Sequence, residues 1–250
     1  MMKKDTGRVR DQLSQRLLAL YHMVDENTRF CDVGCDHGYL SIALVQDQVC
    51  PSALAMDLRP GPLERAKEHI AQAGLEGNIT TRLSDGIEKL SAEEADTVLI
   101  SGMGGGVIHH ILTADEEKTK GIPHLILGPQ SQLELVRSYL KEAGYELFSE
   151  NMVEEDGKYY PIMKVSYRGE HAKDSWEVEG GEDMQKAALM FGPMLLSQQH
   201  PVLKEYLLYR QRVVSSIRSQ LPKDAAGARK EEVERELSLL GMALSMYEGK

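Results

Sequence analysis

Residues 30–40 read Phe-Cys-Asp-Val-Gly-Cys-Asp-His-Gly-Tyr-Leu, and this stretch decides the fold. Its apolar start predicts a buried strand, and the apolar run at residues 42–45 predicts a helix. Between them Gly34 has no Cβ, so the backbone can turn sharply and approach a ligand. The start of the helix leaves backbone N–H groups free to meet that ligand. The stretch therefore predicts a strand, a ligand-binding turn and a helix.

Short apolar runs alternate with helical patterns along the next hundred residues. Strands are predicted at residues 30–33, 53–56, 79–83, 97–100 and 125–127, with the clearest helix at 62–73. This alternation is typical of βαβ units and a parallel sheet. Two further strands, 146–153 and 159–167, are separated by a turn that ends in Gly157 and predict an antiparallel hairpin. The pattern fits the seven-stranded α/β sheet of Rossmann-like, class I methyltransferases.

Helices are predicted at both ends of the chain. An amphipathic helix is expected over residues 9–24, before the first strand. A polar, glycine-containing stretch at 168–181 predicts a boundary between a Rossmann-like catalytic domain, 1–180, and a C-terminal domain, 181–250. In the latter, two apolar stripes flank the polar loop 222–227 and predict an antiparallel, coiled-coil-like helical hairpin. Packing alone explains these stripes, and a platform for a partner is the alternative.

The composition, with 27% charged and 42% hydrophobic residues, is that of an ordinary globular protein. No apolar run approaches the ~18 residues of a membrane span, and no signal peptide is recognisable, so we expect a cytoplasmic protein. Cys31, Cys35 and Cys50 form no recognisable metal motif, so reduced thiols and no metal are expected. The net charge of −10 argues against nucleic acid, but residues 31–180 carry the whole deficit, with 13 Lys/Arg against 26 Asp/Glu.

The turn after the first strand differs from the dinucleotide fingerprint G-x-G-x-x-G. Asp36 stands two residues after Gly34, where its carboxylate repels a pyrophosphate and attracts the amino group of an amino-acid moiety. Asp57 follows the second strand and can accept hydrogen bonds from both ribose hydroxyls. Asp85, after the third strand, can accept from an adenine amine, and Gly86 leaves room for the ring. The ends of parallel strands share one edge, so the sequence predicts a nucleoside site there, with NAD disfavoured.

The fourth strand ends in Ser101-Gly102-Met103-Gly104-Gly105-Gly106, whose glycines allow the backbone to come close to a flat group. We therefore expect a nucleobase to bind at this loop. The amino-methyltransferase motif Asn/Asp-Pro-Pro-Tyr/Phe is absent at this place, which disfavours chemistry on an exocyclic amine and leaves a ring nitrogen. A ring nitrogen has a free lone pair, so alignment and water exclusion supply most of the acceleration. His37, His109 and His110 are candidate proton carriers, and His37 is the catalytic candidate.

The strings DVGCDHGYL, DLRPGPLERAKEHIAQAGL, SDGIEKL, ISGMGGGVI, LILGPQ and FGPMLL are similar to those of a known family. Across nearly its whole chain the protein resembles the bacterial tRNA adenine-N1 methyltransferases that modify an adenine at D-arm position 22. The resemblance implies S-adenosylmethionine as methyl donor and tRNA as partner. Gly128-Pro129-Gln130 departs from the Gln-Pro-Asn order of that family.

The predicted site has two parts. The cofactor residues are Asp32, Gly34, Asp36, Gly38, Asp57, Leu58, Ser84, Asp85, Gly86, Ser101 and Gly102. The substrate residues are Met103, Gly104, Gly105, Gln130 and Arg210. Of these, Arg210 interrupts an apolar stripe of the C-terminal hairpin, and with Lys204, Arg212 and Arg218 it is a candidate tRNA contact.

Several alternatives stay open from the sequence. A methyltransferase of the same fold acting on another RNA or on a small molecule is one, and a non-catalytic cofactor-binding assembly protein is another. The oligomeric state is also open.

Overall fold

A computed structural model describes residues 7–221 and 227–248 of the chain. Its strands are β1 (Phe30–Val33), β2 (Ala53–Asp57), β3 (Ile79–Leu83), β4 (Thr97–Ser101), β5 (His124–Gly128), β6 (Tyr145–Glu155) and β7 (Lys158–Tyr167). Its α-helices are α1 (Gln15–Tyr21), α2 (Tyr39–Gln46), α3 (Pro60–Ala73), α4 (Gly105–Ala114), α5 (Glu116–Gly121), α6 (Leu133–Glu142), α7 (Glu182–Phe191), α8 (Pro193–Ser197), α9 (Pro201–Gln220) and α10 (Ala228–Ser245). Two short 3-10 helices cover Val9–Gln12 and Gly169–His171.

The seven strands form one sheet in the order β3-β2-β1-β4-β5-β7-β6, which confirms the predicted seven-stranded, Rossmann-like methyltransferase fold. Strands β1 to β5 are parallel to their neighbours, and β7 is antiparallel to both β5 and β6. Helices cover both faces, so the four inner parallel strands β1, β2, β4 and β5 are buried, whereas β3 at the edge of the sheet is partly exposed. Alternation along β1 shows this, because Cys31 and Val33 enter one apolar layer and Phe30 the other.

The prediction of one helix over residues 9–24 is wrong. A 3-10 helix ends at Gln12, and Leu13 has extended backbone angles. The hydroxyl oxygen of Ser14 then accepts a hydrogen bond from the N–H of Leu17 and caps the separate helix α1. A serine at this position favours an N-cap over a helix interior because its side chain replaces a missing backbone acceptor. The apolar spacing continues across this break, so periodicity alone did not reveal it.

The C-terminal helices form a larger unit than a two-helix hairpin. Helices α9 and α10 pack together as predicted, but α7, which the sequence analysis missed, also packs against α10. The buried positions of α7 include Ala187 and Ala188, whose small side chains give a weak apolar stripe. The unit shares its apolar core with Met152 of β6. The predicted connecting loop at residues 222–227 lies mostly outside the described residues.

In the described part of the chain, no helix combines the length and the apolar character that crossing a bilayer requires. All three cysteines are free and buried. Burial raises the pKa of the Cys50 thiol to about 11, and it raises the pKa of Cys31 and Cys35 even further. These thiols therefore stay protonated and unreactive near neutral pH.

Candidate cofactor-binding cleft

A cleft with a volume of about 610 Å³ opens at the carboxyl ends of β1, β2, β3 and β4. It is lined by twelve of the predicted residues: Asp32, Gly34, Asp36, His37, Asp57, Leu58, Ser84, Asp85, Gly86, Ser101, Gly102 and Met103. Gln130, at the end of β5, also lines it, and its N–H donates to the carbonyl of Met103 at 2.9 Å. The sheet topology thus brings together residues that are up to 98 positions apart in the chain, from Asp32 to Gln130.

The turn after β1 is held in a conformation that favours glycine. Gly34 and Gly38 have φ values of +80° and +71°, and Asp36, with φ +48°, also lies in the left-handed region. The N–H groups of Gly34 and Cys35 both donate to the carbonyl of Met56, which fixes the turn on β2. A Cβ at Gly34 would lie 2.5 Å from Cε of Met103, so the absent side chain makes room for this methionine beside the cleft.

Two buried carboxylates end neighbouring strands of the sheet. Asp32 is 6% exposed and Asp57 is 7% exposed. Burial, followed by the charges of Asp57 and Asp36, raises the pKa of Asp32 to about 7. The carboxylate of Asp57 accepts a hydrogen bond from the N–H of Arg59 at 2.8 Å, which leaves acceptor capacity directed at the cleft. The base of the cleft is therefore acidic and suited to hydroxyl donors and cations.

The end of β3 forms a compact turn. The Ser84 hydroxyl donates to the carbonyl of Gly86 at 3.1 Å and accepts from the N–H of Lys89 at 3.1 Å. The Ser84 hydroxyl therefore acts as both donor and acceptor within the turn itself. Asp85 is exposed beside it. A Cβ at Gly86 would lie 2.8 Å from Cγ1 of Ile111, so the glycine allows the side chain of Ile111 to pack against this turn.

Four predicted site residues do not line the cleft. Gly38 begins α2 and packs close to Ala66 of α3. Gly104 and Gly105 begin α4, and a Cβ at Gly105 would overlap the backbone oxygen of Ser131. The structure explains these three glycines by close packing of helix starts. Arg210 lies on α9, where its guanidinium is bound by the carboxylate of Glu236, with one contact at 3.1 Å.

The sequence analysis missed several residues that line the cleft: Arg16, Leu17, Cys35, Tyr39, Arg59, Leu99, Val107 and Ile111. Arg16 is the most informative because it brings a cation from α1. Its Nη1 lies 3.7 Å from the position of a Cβ on Gly102, and its guanidinium lies over the ring of Tyr160 at 5.2 Å. Arg16 stands three residues after Leu13 and four before Leu20, so a charge on the apolar face of the helix was the available signal.

His37, the catalytic candidate, belongs to a cluster of rings at the rim of the cleft. Its ring stacks on Tyr39 and on His69 with centroids 5.5 Å away in each case, and the rings of Tyr39 and His69 are 4.7 Å apart. Nε2 of His37 lies 3.6 Å from a carboxylate oxygen of Asp36. His109 and His110 lie on α4 and do not line the cleft. Among the described residues, no three His, Cys, Asp or Glu side chains are arranged to hold a metal ion.

We expect replacement of Asp32 by asparagine to stabilise the cofactor-free protein at pH 8 by about 2–4 kcal/mol. The folded-state pKa of about 7 exceeds the ordinary value of 3.8, so between about pH 4 and 7 only the folded state holds this proton. Stability therefore falls as pH rises through this window and stays low above it. Urea unfolding of wild type and Asp32→Asn at pH 4, 6 and 8 measures the effect. The exposed Asp85→Asn is the control, and an equal gain in both variants would contradict this account.

The chain is similar in sequence and in fold to known methyltransferases. Residues 13–163 match the family model described as a methyltransferase domain. The chain is 30% identical over 229 residues to the tRNA (adenine(22)-N(1))-methyltransferase of Bacillus subtilis, covering 91% of this chain and 93% of that protein. The crystal structure of the B. subtilis m1A22 tRNA methyltransferase superimposes with a TM-score of 0.83 at 28% identity, over 93% of this chain and 98% of that one. TrmK of M. capricolum, solved with S-adenosyl-homocysteine, superimposes with a TM-score of 0.77 at 25% identity, over 94% and 98% of the two chains.

Proposed function

The chain belongs to the tRNA (adenine(22)-N(1))-methyltransferase family, and from this we propose that it transfers a methyl group from S-adenosylmethionine to N1 of adenine 22 in tRNA. The strongest structural support for this proposal is the composition of the cleft. Carboxylates follow β1, β2 and β3, and a glycine-rich turn follows β4, all at one edge of the sheet. In open α/β sheets this edge is where ligands bind.

The residues of the cleft fit the chemical groups of S-adenosylmethionine. Asp57, buried at the end of β2, accepts hydrogen bonds from the ribose hydroxyls. Asp85 accepts from the exocyclic amine of the adenine ring, and Gly86 and Ile111 line the cleft beside it. Asp36 attracts the ammonium group of the methionine moiety.

Arg16 completes this set with a positive charge for the methionine carboxylate. Arg16 and Arg59 are the two arginines among the described residues that line the cleft. Arg59 lies beside Asp57, at the ribose end. Arg16 lies beside Gly102, at the end of the strand next to β1, which is the side where Asp36 holds the ammonium group. A guanidinium binds a carboxylate with strong, charge-assisted hydrogen bonds.

The methyl transfer requires little acid or base catalysis from the protein. Bound S-adenosylmethionine supplies an electrophilic methyl group on a positively charged sulfur. Adenine N1 has a free lone pair at neutral pH, so no residue has to remove a proton before attack. The cleft aligns the two reactants and excludes water. The methylated base is a cation, and Asp36, Asp57 and Asp85 stabilise positive charge at this edge. A role of His37 as proton carrier stays a prediction.

We propose that residues 1–180 hold the cofactor while residues 181–250 help to hold tRNA. The four candidate cations on α9 are not equivalent. Arg210 and Arg218 form ion pairs with Glu236 and Glu234 of α10. Their pairing explains them without RNA, so the tRNA contact of Arg210 stays a prediction. The ammonium of Lys204 lies 5.7 Å from the ring centre of Tyr247. Because tRNA is the substrate, a cytoplasmic location is part of the same proposal.

An unmodified tRNA transcript incubated with the protein and S-adenosylmethionine is expected to gain 1-methyladenosine, measured by mass spectrometry of its nucleosides. The matched control is the same transcript with guanine in place of adenine 22, which is expected to gain none. Methylation of both transcripts would place the target elsewhere in the tRNA. Cofactor binding without methylation of either would favour another substrate or a non-catalytic role.

A further inference from the structure

The first residues of β7 lie at the same edge of the sheet as the cleft. Because β7 runs antiparallel to β5, its start meets the carboxyl end of β5, and Leu127 pairs with Met163. Tyr159 and Tyr160, four and three residues before Met163, therefore extend past the end of β5. Successive side chains of a strand point to opposite faces. This edge of the sheet thus carries two tyrosines on opposite sides of one strand.

Each tyrosine contacts a different helix. The ring of Tyr160 lies under the guanidinium of Arg16, which lines the cleft. The ring of Tyr159 packs against two tyrosines of α9, with centroids 5.1 Å from Tyr206 and 6.1 Å from Tyr209. Tyr209 is 46% exposed, although it is a large aromatic residue with one face on Tyr159. A continuous set of contacts therefore leads from Arg16 in the wall of the cleft, through Tyr160 and Tyr159 of β7, to an exposed aromatic face on α9.

A free cation lies beside this aromatic face. Arg212 follows Tyr209 by three residues, so both lie on one side of α9. Arg212 is exposed, and among residues 7–221 and 227–248 no carboxylate oxygen lies within 4.0 Å of its guanidinium. Burial and the carboxylates of Glu205 and Glu154 raise the pKa of Tyr159, while Arg212 opposes the rise. The phenol is therefore neutral at physiological pH.

We propose that Tyr159, Tyr209 and Arg212 form a nucleotide-binding surface for an unpaired nucleotide of the tRNA near the target adenine. A base stacks on the exposed tyrosine ring, and the guanidinium of Arg212 binds an adjoining phosphate. This inference rests on the proposed function and names the RNA contact that accompanies it. Glu154 and Glu205 repel phosphates nearby, so the contact is confined to one base and one phosphate. This contact does not require a long row of basic residues.

Binding of an unmodified tRNA transcript to the full chain tests this surface. Tyr209→Ala is expected to weaken tRNA binding about tenfold, whereas Tyr209→Phe keeps the ring and binds as the wild type does. Leu208→Ala is the matched control, because Leu208 is the preceding residue of α9, is 44% exposed and has no aromatic ring. Arg212→Ala is expected to lower the slope of log affinity against log salt by about 1. All four variants should keep wild-type affinity for S-adenosylmethionine.

The outcomes distinguish a failure of this proposed surface from a failure of the proposed function. If the wild type methylates tRNA while Tyr209→Ala and Arg212→Ala bind it normally, the surface is refuted and the enzymatic assignment stands. If the wild type does not methylate tRNA, the proposed function itself fails. A change of oligomeric state in Tyr209→Ala, measured by light scattering, would identify the face as a contact between copies of the chain and overturn the inference. A KM for tRNA raised in Tyr209→Ala at unchanged kcat supports it.

Discussion

Arg137→Ala is expected to cost the protein about 3–5 kcal/mol of unfolding free energy, the range for breaking a buried ion pair. Arg137 on α6 is fully buried, and its Nε donates to the carboxylate of Glu150 on β6 at 2.9 Å. Its Nη1 donates to the carbonyls of Leu189 and Met190 at 3.1 and 3.0 Å. Removal of the guanidinium leaves the carboxylate buried without its charge partner, and two helix carbonyls lose their donor.

Urea unfolding measures this loss, and two variants isolate its cause. Arg229→Ala removes an exposed arginine that is paired with Glu232, and it should cost less than about 1 kcal/mol. Arg137→Met combined with Glu150→Gln removes both charges, while the amide oxygen can still accept from the N–H of Met194. This double variant should be clearly more stable than Arg137→Ala. An equal loss in both would show that shape, and not the uncompensated charge, dominates.

The same contacts bear on how the C-terminal helices can be tested. Arg137 binds carbonyls of α7, and Met152 of β6 lies in the apolar core of the helical unit. A chain truncated near Gly180 would therefore expose an apolar face of the sheet and leave the buried ion pair open to solvent. Loss of tRNA methylation in such a truncated chain would not separate lost binding from lost stability. Single substitutions on the surface of α9 avoid this difficulty.

Asp57→Ala is expected to weaken binding of both S-adenosylmethionine and S-adenosylhomocysteine by about 1.5–3 kcal/mol, or roughly 10- to 150-fold in Kd. The carboxylate is the buried acceptor at the end of β2 that fits the ribose hydroxyls. It also accepts from the N–H of Arg59, so alanine removes a turn contact as well. Asp57→Asn separates the two roles, because its amide oxygen still holds the turn but its NH₂ group cannot accept from a hydroxyl.

Calorimetry with each ligand and a melting curve of each variant decide this point. Both variants should bind more weakly, and Asp57→Asn should keep the melting temperature of the wild type or exceed it, since a buried charge near Asp32 is removed. If Asp57→Asn bound both ligands at full strength, the ribose would have to be recognised elsewhere in the cleft. Asp85→Asn, at the exposed end of β3, serves for comparison and should have the smaller effect.

The sheet and most of the cleft could be predicted from the amino-acid sequence alone. Apolar runs between glycine and aspartate reproduced β1 and β3 to the residue, and the other parallel strands to within one residue at either end. Since parallel strands end at one edge, the sequence pattern was enough to predict that Asp57, Asp85 and Gly102 share one site. Local chain chemistry was sufficient because each of these residues lies directly after its own strand.

Which helices complete the site, and which glycines are required by packing, could not be predicted from the sequence and became visible in the three-dimensional structure. Arg16 comes from a helix that no strand-end argument includes, and its place beside Gly102 depends on how α1 packs against the sheet. Gly105 looked like part of a base site, but it is required by the close approach of the Ser131 backbone, which lies 26 residues further along the chain. The position of Tyr159 beside α9 likewise depends on the antiparallel path of β7. Such contacts join distant segments, and neither periodicity nor local spacing encodes them.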